Sequence, residues 1–278
     1  MTVCIAQKAG SKIFLASDSR ISIGALHSDN AFKVLPLSIR INLPRDEETH
    51  KTEERYSSSW GFGFAGTFAA QNAIKDFLAI VFQKLTFVPT LGPLTFEKIC
   101  SFVLDLYKHV SWKLSTELED YDGLDFFLCG TCPDDGSVKL AKFSIDHGSS
   151  IDEFKPKYTV YKLDKDFPLA IGSGEYRFRD EYKKLNGVSP QRRAIIALKK
   201  VIDDPDIPSV GGNIQYGEAC PGLPFSIHGV VVPGVHIKTG QKLNHFFFGG
   251  IDTLDEVFRD INGLFITGEF LHISEIMP

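Results

Sequence analysis

The sequence predicts an α+β fold, a four-layer αββα sandwich of two antiparallel sheets, and three observations carry that expectation. Short apolar runs come in pairs at hairpin spacing, as at residues 3–6 with 13–16 and within 126–145. Stretches with apolar residues at helical spacing cover 68–85, 95–118, 176–185 and 190–202. Their order is strands, two helices, strands, two helices, strands, so each helix pair can bury its apolar stripe on one outer face of two stacked sheets.

The first hairpin joins Val3-Cys4-Ile5-Ala6 to Ile13-Phe14-Leu15-Ala16. Chain ends are ordinarily loose, so a strand that opens at the third residue gives Thr2 a defined position. Phe32-Lys33-Val34-Leu35 is the next strand, and residues 45–59, almost devoid of apolar side chains, read as an exposed loop. Trp60-Gly61-Phe62-Gly63-Phe64-Ala65-Gly66 reads as a strand ending in glycine, with a helix starting close to Gly66. In the second helix Thr95 is the cap, and Ile99, Phe102, Val103, Leu106, Val110 and Leu114 share one face. After the 126–145 hairpin come strands at 158–161 and 168–171, the glycine turn Gly172-Ser173-Gly174, two helices, and strands around 212–219 and 225–232. The tail carries Phe246-Phe247-Phe248-Gly249-Gly250 and a short helical pattern at 254–261. Residues 1–232 are read as one domain, with 233–278 a C-terminal extension packed on it.

A chain of 278 residues with 43% hydrophobic content can bury a large core. The net charge of −5 exerts no pull towards nucleic acid or an anionic membrane surface, and neither is expected as a partner. No apolar run approaches the roughly 20 residues that span a bilayer, and the first residues lack a signal-peptide profile. The expected location is cytoplasmic. Five scattered cysteines fit reduced thiols. Cys129-Gly130-Thr131-Cys132 has no second ligand pair at zinc spacing and reads as strand-end packing. No metal or cofactor is called for. His109 and His228 fall on a helix and an apolar strand, and no Ser-His-Asp grouping suggests itself.

Four features recur in one order: Thr2 opening the first strand, Ser17-Asp18-Ser19-Arg20 closing the second, Lys33 in Phe-Lys-Val, and Ala65-Gly66-Thr67 at a helix start. In this order the chain resembles the proteasome β-subunit family of N-terminal-nucleophile hydrolases, including its bacterial, Anbu-type and β-proteobacterial relatives. Later segments agree, among them residues 128–136, 139–146, 170–174 and 209–212, so the resemblance covers roughly residues 2–232. Taken singly, Asp18 with Arg20 also reads as a surface pair, Lys33 as a solvated strand lysine and Gly66 as a helix-start glycine. The ordered set is what carries the likeness.

The resemblance implies a threonine peptidase. A threonine hydroxyl needs a base, and the α-amine of an N-terminal Thr2, exposed by removal of Met1, supplies one with an ordinary pKa of about 7.7–8.0. Lys33 would bias that amine towards its neutral form and stabilise developing alkoxide, with Asp18 holding the lysine. Gly66 would donate its N–H to the oxyanion. Ser173, and by spacing Asp206 and Ser209, would orient the amine, although Val210 intervenes between Ser209 and Gly211-Gly212 where the family has serine directly before the glycines. Arg20 would pin nearby loops. Ile21, Ala31, Phe64 and Thr67 would contact substrate, with small or medium apolar side chains favoured before the cut. The implied partners are a peptide or unfolded-protein substrate and further copies of the chain in a ring or helical array, and the sequence names no ATPase. Cys4 is expected to be structural, and Lys33→Ala to remove activity without unfolding the chain. Two other readings stand beside this one: an amidase of the same chemistry acting on a small amide, and a catalytically silent proteasome-like scaffold.

Overall fold

The computed structural model describes residues 2–23, 26–117, 124–146, 155–161, 168–235, 242–253 and 269–273, and the helix expected at 254–261 lies outside them. The chain opens with a hairpin of β1 (Cys4–Ala9) and β2 (Lys12–Ser17), registered from Cys4 opposite Ser17 to Ala9 opposite Lys12. A small ribbon of β3 (Ile21–Ile23) and β4 (Leu26–Ser28) is followed by β5 (Val34–Asn42) and β6 (Glu54–Gly66). Then come α1 (Phe68–Val81), β7 (Leu85–Thr86) and α2 (Phe96–Glu117). Strands β8 (Leu124–Thr131), β9 (Val138–Asp146), β10 (Lys155–Tyr161) and β11 (Leu169–Ile171) lead to α3 (Glu175–Lys184) and α4 (Pro190–Ile202). The last strands are β12 (Gln215–Ala219), β13 (Ser226–Val235), β14 (Lys242–Phe248), β15 (Ile251–Asp252) and β16 (Phe270–His272).

One sheet has 6 strands in the order β10-β9-β8-β6-β5-β7. The other has 8, in the order β11-β1-β2-β12-β13-β14-β15, with β16 beside β13. Their pairings are antiparallel except for two short parallel contacts, β5 with β7 and β13 with β16. Three apolar layers separate the elements. Trp60, Phe62, Phe126 and Phe143 pack beneath α1 and α2 with Leu78 and Val103. Val3, Ile5 and Phe14 pack beneath α3 and α4 with Phe178, Ala194 and Leu198. Cys4, Leu15, Val34, Phe127 and Leu140 fill the space between the sheets. This is the αββα sandwich that the order of elements predicts.

The alternation in β6 shows how sequence sets the spacing of the layers. Trp60, Phe62 and Phe64 turn towards the helices, where Trp60 stacks on Phe96 with centroids 4.8 Å apart, a contact that contributes about 0.5–1.5 kcal/mol beyond burial. Gly61 and Gly63 turn towards the other sheet, and a Cβ on Gly63 would stand 2.9 Å from Cys4 Sγ. Any larger residue there would hold the sheets apart.

The expected loop at 45–59 is corrected in its second half. Residues from Glu54 to Ser59 belong to β6 and pair with β5, with Ser59 opposite Ser38 and Tyr56 opposite Ile41. Their polar side chains are compatible with strand because one face of this ribbon meets solvent. Tyr56 Oη ties it down, donating to the Thr131 carbonyl at 2.6 Å and accepting from Trp60 Nε1 at 2.9 Å. α1 ends at Val81, four residues before the expected boundary at 85, because Leu85 and Thr86 leave the helix to pair with Ile41 and Asn42. In the C-terminal part, β14 lies beside β13 with Phe247 opposite Val230, so that segment extends the larger sheet.

Candidate active site

The site begins with the backbone of β1. The Val3 N–H, the amide that follows Thr2, donates to Asp18 Oδ1 at 3.0 Å, and the Val3 carbonyl accepts from Ser17 Oγ at 2.9 Å. On the other side of β1, register with β11 brings Ile171 opposite Cys4, so the Gly172-Ser173-Gly174 turn lands on Thr2. Gly174 N donates to the Thr2 carbonyl at 3.4 Å. Gly172 adopts φ +93°, and a Cβ there would lie 2.1 Å from the Thr2 oxygen, so only glycine fits. Thr2 is thus held from both flanks and is only 3% exposed.

Asp18 and Lys33 form a buried ion pair, with side chains 0% and 1% exposed and Lys33 Nζ 3.0 Å from both carboxylate oxygens. The solvated-lysine reading of Lys33 is therefore set aside. Asp18 also accepts from three backbone N–H groups, those of Val3 at 3.0 Å, Arg20 at 3.2 Å and Gly211 at 3.2 Å. Burial pushes the Asp18 pKa up and the Lys33 pKa down, each towards its neutral form, while their mutual attraction opposes both shifts. The backbone donors and the lysine both favour the carboxylate, and the carboxylate in turn favours the ammonium. A single oxygen, Asp18 Oδ1, links the peptide that follows Thr2 to the lysine ammonium.

Arg20 bonds to two separate segments of the chain. Its Nε and Nη2 grip the two oxygens of Asp29 at 2.6 and 3.0 Å, and Nη1 donates to the Pro208 carbonyl at 3.2 Å. Such a fork fixes both partners in one plane. The same segment brings Ser209 in: Ser209 Oγ is 3.2 Å from Ser173 Oγ, and Val210 is accommodated by turning into the core beneath α4. Asp206 is not brought to this pair. It is exposed, its backbone N–H donates to Asp204 Oδ1 at 3.0 Å, and its carboxylate makes no hydrogen bond to either serine among the described residues.

Gly66 is the last residue of β6, and Thr67 caps α1, its Oγ1 accepting from Ala70 N at 3.4 Å. The Gly66 position thus meets the positive end of a helix. Ile21, Ala31 and Thr67 are partly exposed. The expected substrate contact by Phe64 is corrected: the residue is 1% exposed and turns into the core beneath α1 and α2, packing on Phe62 at 5.6 Å. Cys4 is buried, and burial pushes its thiol pKa well up, which suits a structural role. Cys129 lies in the core between the sheets and Cys132 in the core beneath the helices, in keeping with strand-end packing.

Sequence reasoning missed three contributors: Gly211, through its N–H to Asp18; Asp29, the partner of Arg20; and Gln215, whose carboxamide binds the Lys33 N–H at 2.7 Å. The first was signalled by the glycine pair after Ser209. A lone aspartate or glutamine carries no such signal.

Architecture and local geometry together describe a two-sheet sandwich in which a buried Asp–Lys pair is bonded to the backbone amide that follows Thr2. No protein-family model matches the chain, and no curated protein matches it in sequence. Solved structures do match. Anbu from Hyphomicrobium sp. strain MC1, a Gly-1 mutant, aligns with a TM-score of 0.55 and 12% identity, covering 93% of this chain and 90% of that one. Anbu from Yersinia bercovieri, described as an ancestral beta-subunit, aligns with a TM-score of 0.52 and 14% identity over 81% and 82%. The chain therefore has the proteasome β-subunit-like fold of Anbu. No helix among the described residues is long and apolar enough to cross a membrane.

Proposed function

We propose that the chain is a threonine-dependent peptide- or amide-bond hydrolase, in which Thr2 becomes the N-terminal nucleophile once Met1 is removed and which acts within a self-assembled oligomer. The observation that carries this reading is the fully buried Asp18–Lys33 pair, hydrogen-bonded through Asp18 Oδ1 to the amide following Thr2. A lysine is costly to bury, and a lysine whose pKa burial lowers suits a site that must shift charge near neutral pH.

In this reading the free Thr2 amine takes the hydroxyl proton as Oγ1 attacks the substrate carbonyl, and the Lys33 charge stabilises the developing alkoxide. The Gly66 N–H binds the oxyanion, a role worth about 2.7–4 kcal/mol per donor in characterised hydrolases. The protonated amine then hands its proton to the leaving nitrogen, and water cleaves the resulting ester. Ser173 and Ser209 orient the amine. Ile21, Ala31 and Thr67 line the pocket for the residue before the cut, which favours small or medium apolar side chains. Strong cleavage after Arg or Lys in a peptide library would overturn that pocket.

Self-assembly is supported by apolar side chains left at the outer surface, Phe77 at 44% and Ile80 at 68% exposed on α1, with Trp112 at 46% on α2. The Yersinia bercovieri protein is described as a beta-subunit, which accords with it. A mass by light scattering that stays monomeric at micromolar concentration would count against assembly.

The test of the nucleophile is intact-mass analysis after incubation with a peptide epoxyketone, a reagent that needs both the amine and the hydroxyl. One adduct is expected on a chain lacking Met1. Thr2→Ala should abolish it and Thr2→Ser should slow it. Retained Met1, or labelling of Thr2→Ala, overturns the proposal.

A further inference from the structure

Gln215, the first residue of β12, has a carboxamide that is 1% exposed and fully used. Its Oε1 accepts from the N–H groups of Lys33 at 2.7 Å and Val34 at 3.1 Å. Its Nε2 donates to the carbonyl of Ala31 and to that of Gly249, the latter at 2.8 Å. A carboxamide offers two acceptor positions and two N–H donors, so all four are taken and the group can point only one way. Three of its bonds fall on the backbone immediately around Lys33. The backbone at the start of β5 is thus bound by a side chain from β12.

The fourth bond reaches the turn between β14 and β15. Gly249 there has φ +60°, and a Cβ on it would stand 1.9 Å from the Phe32 ring. The next carbonyl, that of Gly250, accepts from Asn213 Nδ2 at 3.2 Å, and Asn213 N in turn donates to Ser19 Oγ at 2.8 Å. The turn is therefore seated on the residues flanking both members of the ion pair, Phe32 beside Lys33 and Ser19 beside Asp18. Asp18 fixes the lysine's ammonium end, and Gln215 fixes its backbone end.

We propose that Gln215 is the positioning residue for Lys33, and that through its bond to Gly249 it makes the Thr2 site competent only when the β14–β15 turn is docked. The proposal rests on the reading of Thr2 as nucleophile. Its physical basis is leverage: lysine has a long, flexible side chain, and a misplacement of about 1 Å at a reacting group can cost on the order of a hundredfold in rate.

The experiment measures the rate constant of epoxyketone labelling at Thr2 between pH 6 and 9, per folded protein, in four chains: wild type, Gln215→Met, Gly249→Ala and Gln191→Met. Gln191, whose Nε2 donates to Tyr216 Oη at 2.8 Å, is the control for simple loss of a partly buried amide. Gln215→Met should slow labelling by roughly tenfold or more and displace its pH profile, because Lys33 no longer stands where it biases the amine. Gly249→Ala leaves Gln215 intact but strains the turn, through φ +60° and a Cβ set against the Phe32 ring, so it should produce the same two changes. The two substitutions together should be no worse than the slower single one, since they act through one contact. Gln191→Met should lower Tm without moving the profile. Unchanged labelling and profile in folded Gln215→Met overturn the positioning role, and an unchanged Gly249→Ala overturns the dependence on the turn. Should Gln215→Met not fold, Gly249→Ala alone decides. Absence of labelling in the wild type overturns the nucleophile reading itself, a different result from labelled wild type with indifferent variants.

Discussion

A β-carbon on Gly172 would sit 2.1 Å from the carbonyl oxygen of Thr2, so the turn that carries Ser173 and the first residues of β1 are built against each other with no space between them. Gly172→Ala combines that collision with φ +93°, a region costing L-residues about 1–3 kcal/mol. It should lower Tm by several degrees and abolish labelling at Thr2. Gly136→Ala is the control, since φ is +68° but nothing lies within 4 Å of the added carbon. A Gly172 variant no less stable than the Gly136 variant would remove the argument.

The buried pair sets a second expectation, and it revises the one drawn from sequence. Lys33→Met removes the partner of a carboxylate that is 0% exposed, which should cost about 3–5 kcal/mol, roughly 10 °C in Tm for a chain of this size. Activity and stability should fall together. Adding Asp18→Asn to Lys33→Met should recover part of the stability, because no lone charge then remains buried, and activity should stay absent. Thermal melts of the three variants decide it, and a double variant less stable than Lys33→Met alone contradicts the account.

Asp29 gives a pH dependence with a definite sign. The hydrogen bond from Arg20 lowers its pKa, with partial burial opposing. An unfolded aspartate titrates near about 3.9. The stabilisation from Asp29 is therefore complete above that value and is lost as pH falls through the lower folded pKa. Tm of wild type should exceed that of Asp29→Asn by a constant margin from pH 7 to 5, and the margin should close in acid. A margin as wide at pH 2 as at pH 7 assigns it to shape and not to charge.

Ser173 and Ser209 should behave as one device. Their hydroxyls are 3.2 Å apart, and an orienting bond of about 1 kcal/mol corresponds to roughly a fivefold change in rate. Each alanine variant should slow Thr2 labelling by about that factor, and the double variant should be no slower than the worse single one. Multiplying effects would mean that the serines act independently.

The αββα order was legible because helix and strand periods differ and each helix needs a sheet to cover. Glu54 to Ser59 were not, because a hydrogen-bonded ladder makes them strand and Tyr56 is the one ring among otherwise polar side chains. The pairing of Asp18 with Lys33 followed the ordered pattern, and the glycine turn around Ser173 reaches the Thr2 carbonyl. The approach of Ser209 was read from spacing despite Val210, whereas Asp206, placed by the same spacing, stays exposed. Gln215 was illegible: its role is fixed by four backbone partners that only the folded chain brings together.

The bonds of the site also join residues far apart in the order of synthesis. Asp18 accepts from Gly211, 193 positions later, Lys33 donates to Gln215, 182 later, and Gln215 donates to Gly249 a further 34 on. Contacts of such separation form late, since the intervening chain must first be closed into loops. While the ribosome still holds residue 211, Asp18 lacks one of its donors, and until residue 249 has emerged the backbone around Lys33 is only partly tied. A nascent chain would carry its first hairpin long before it carried these bonds, so the pocket proposed around Thr2 is assembled only after residue 249 has been made.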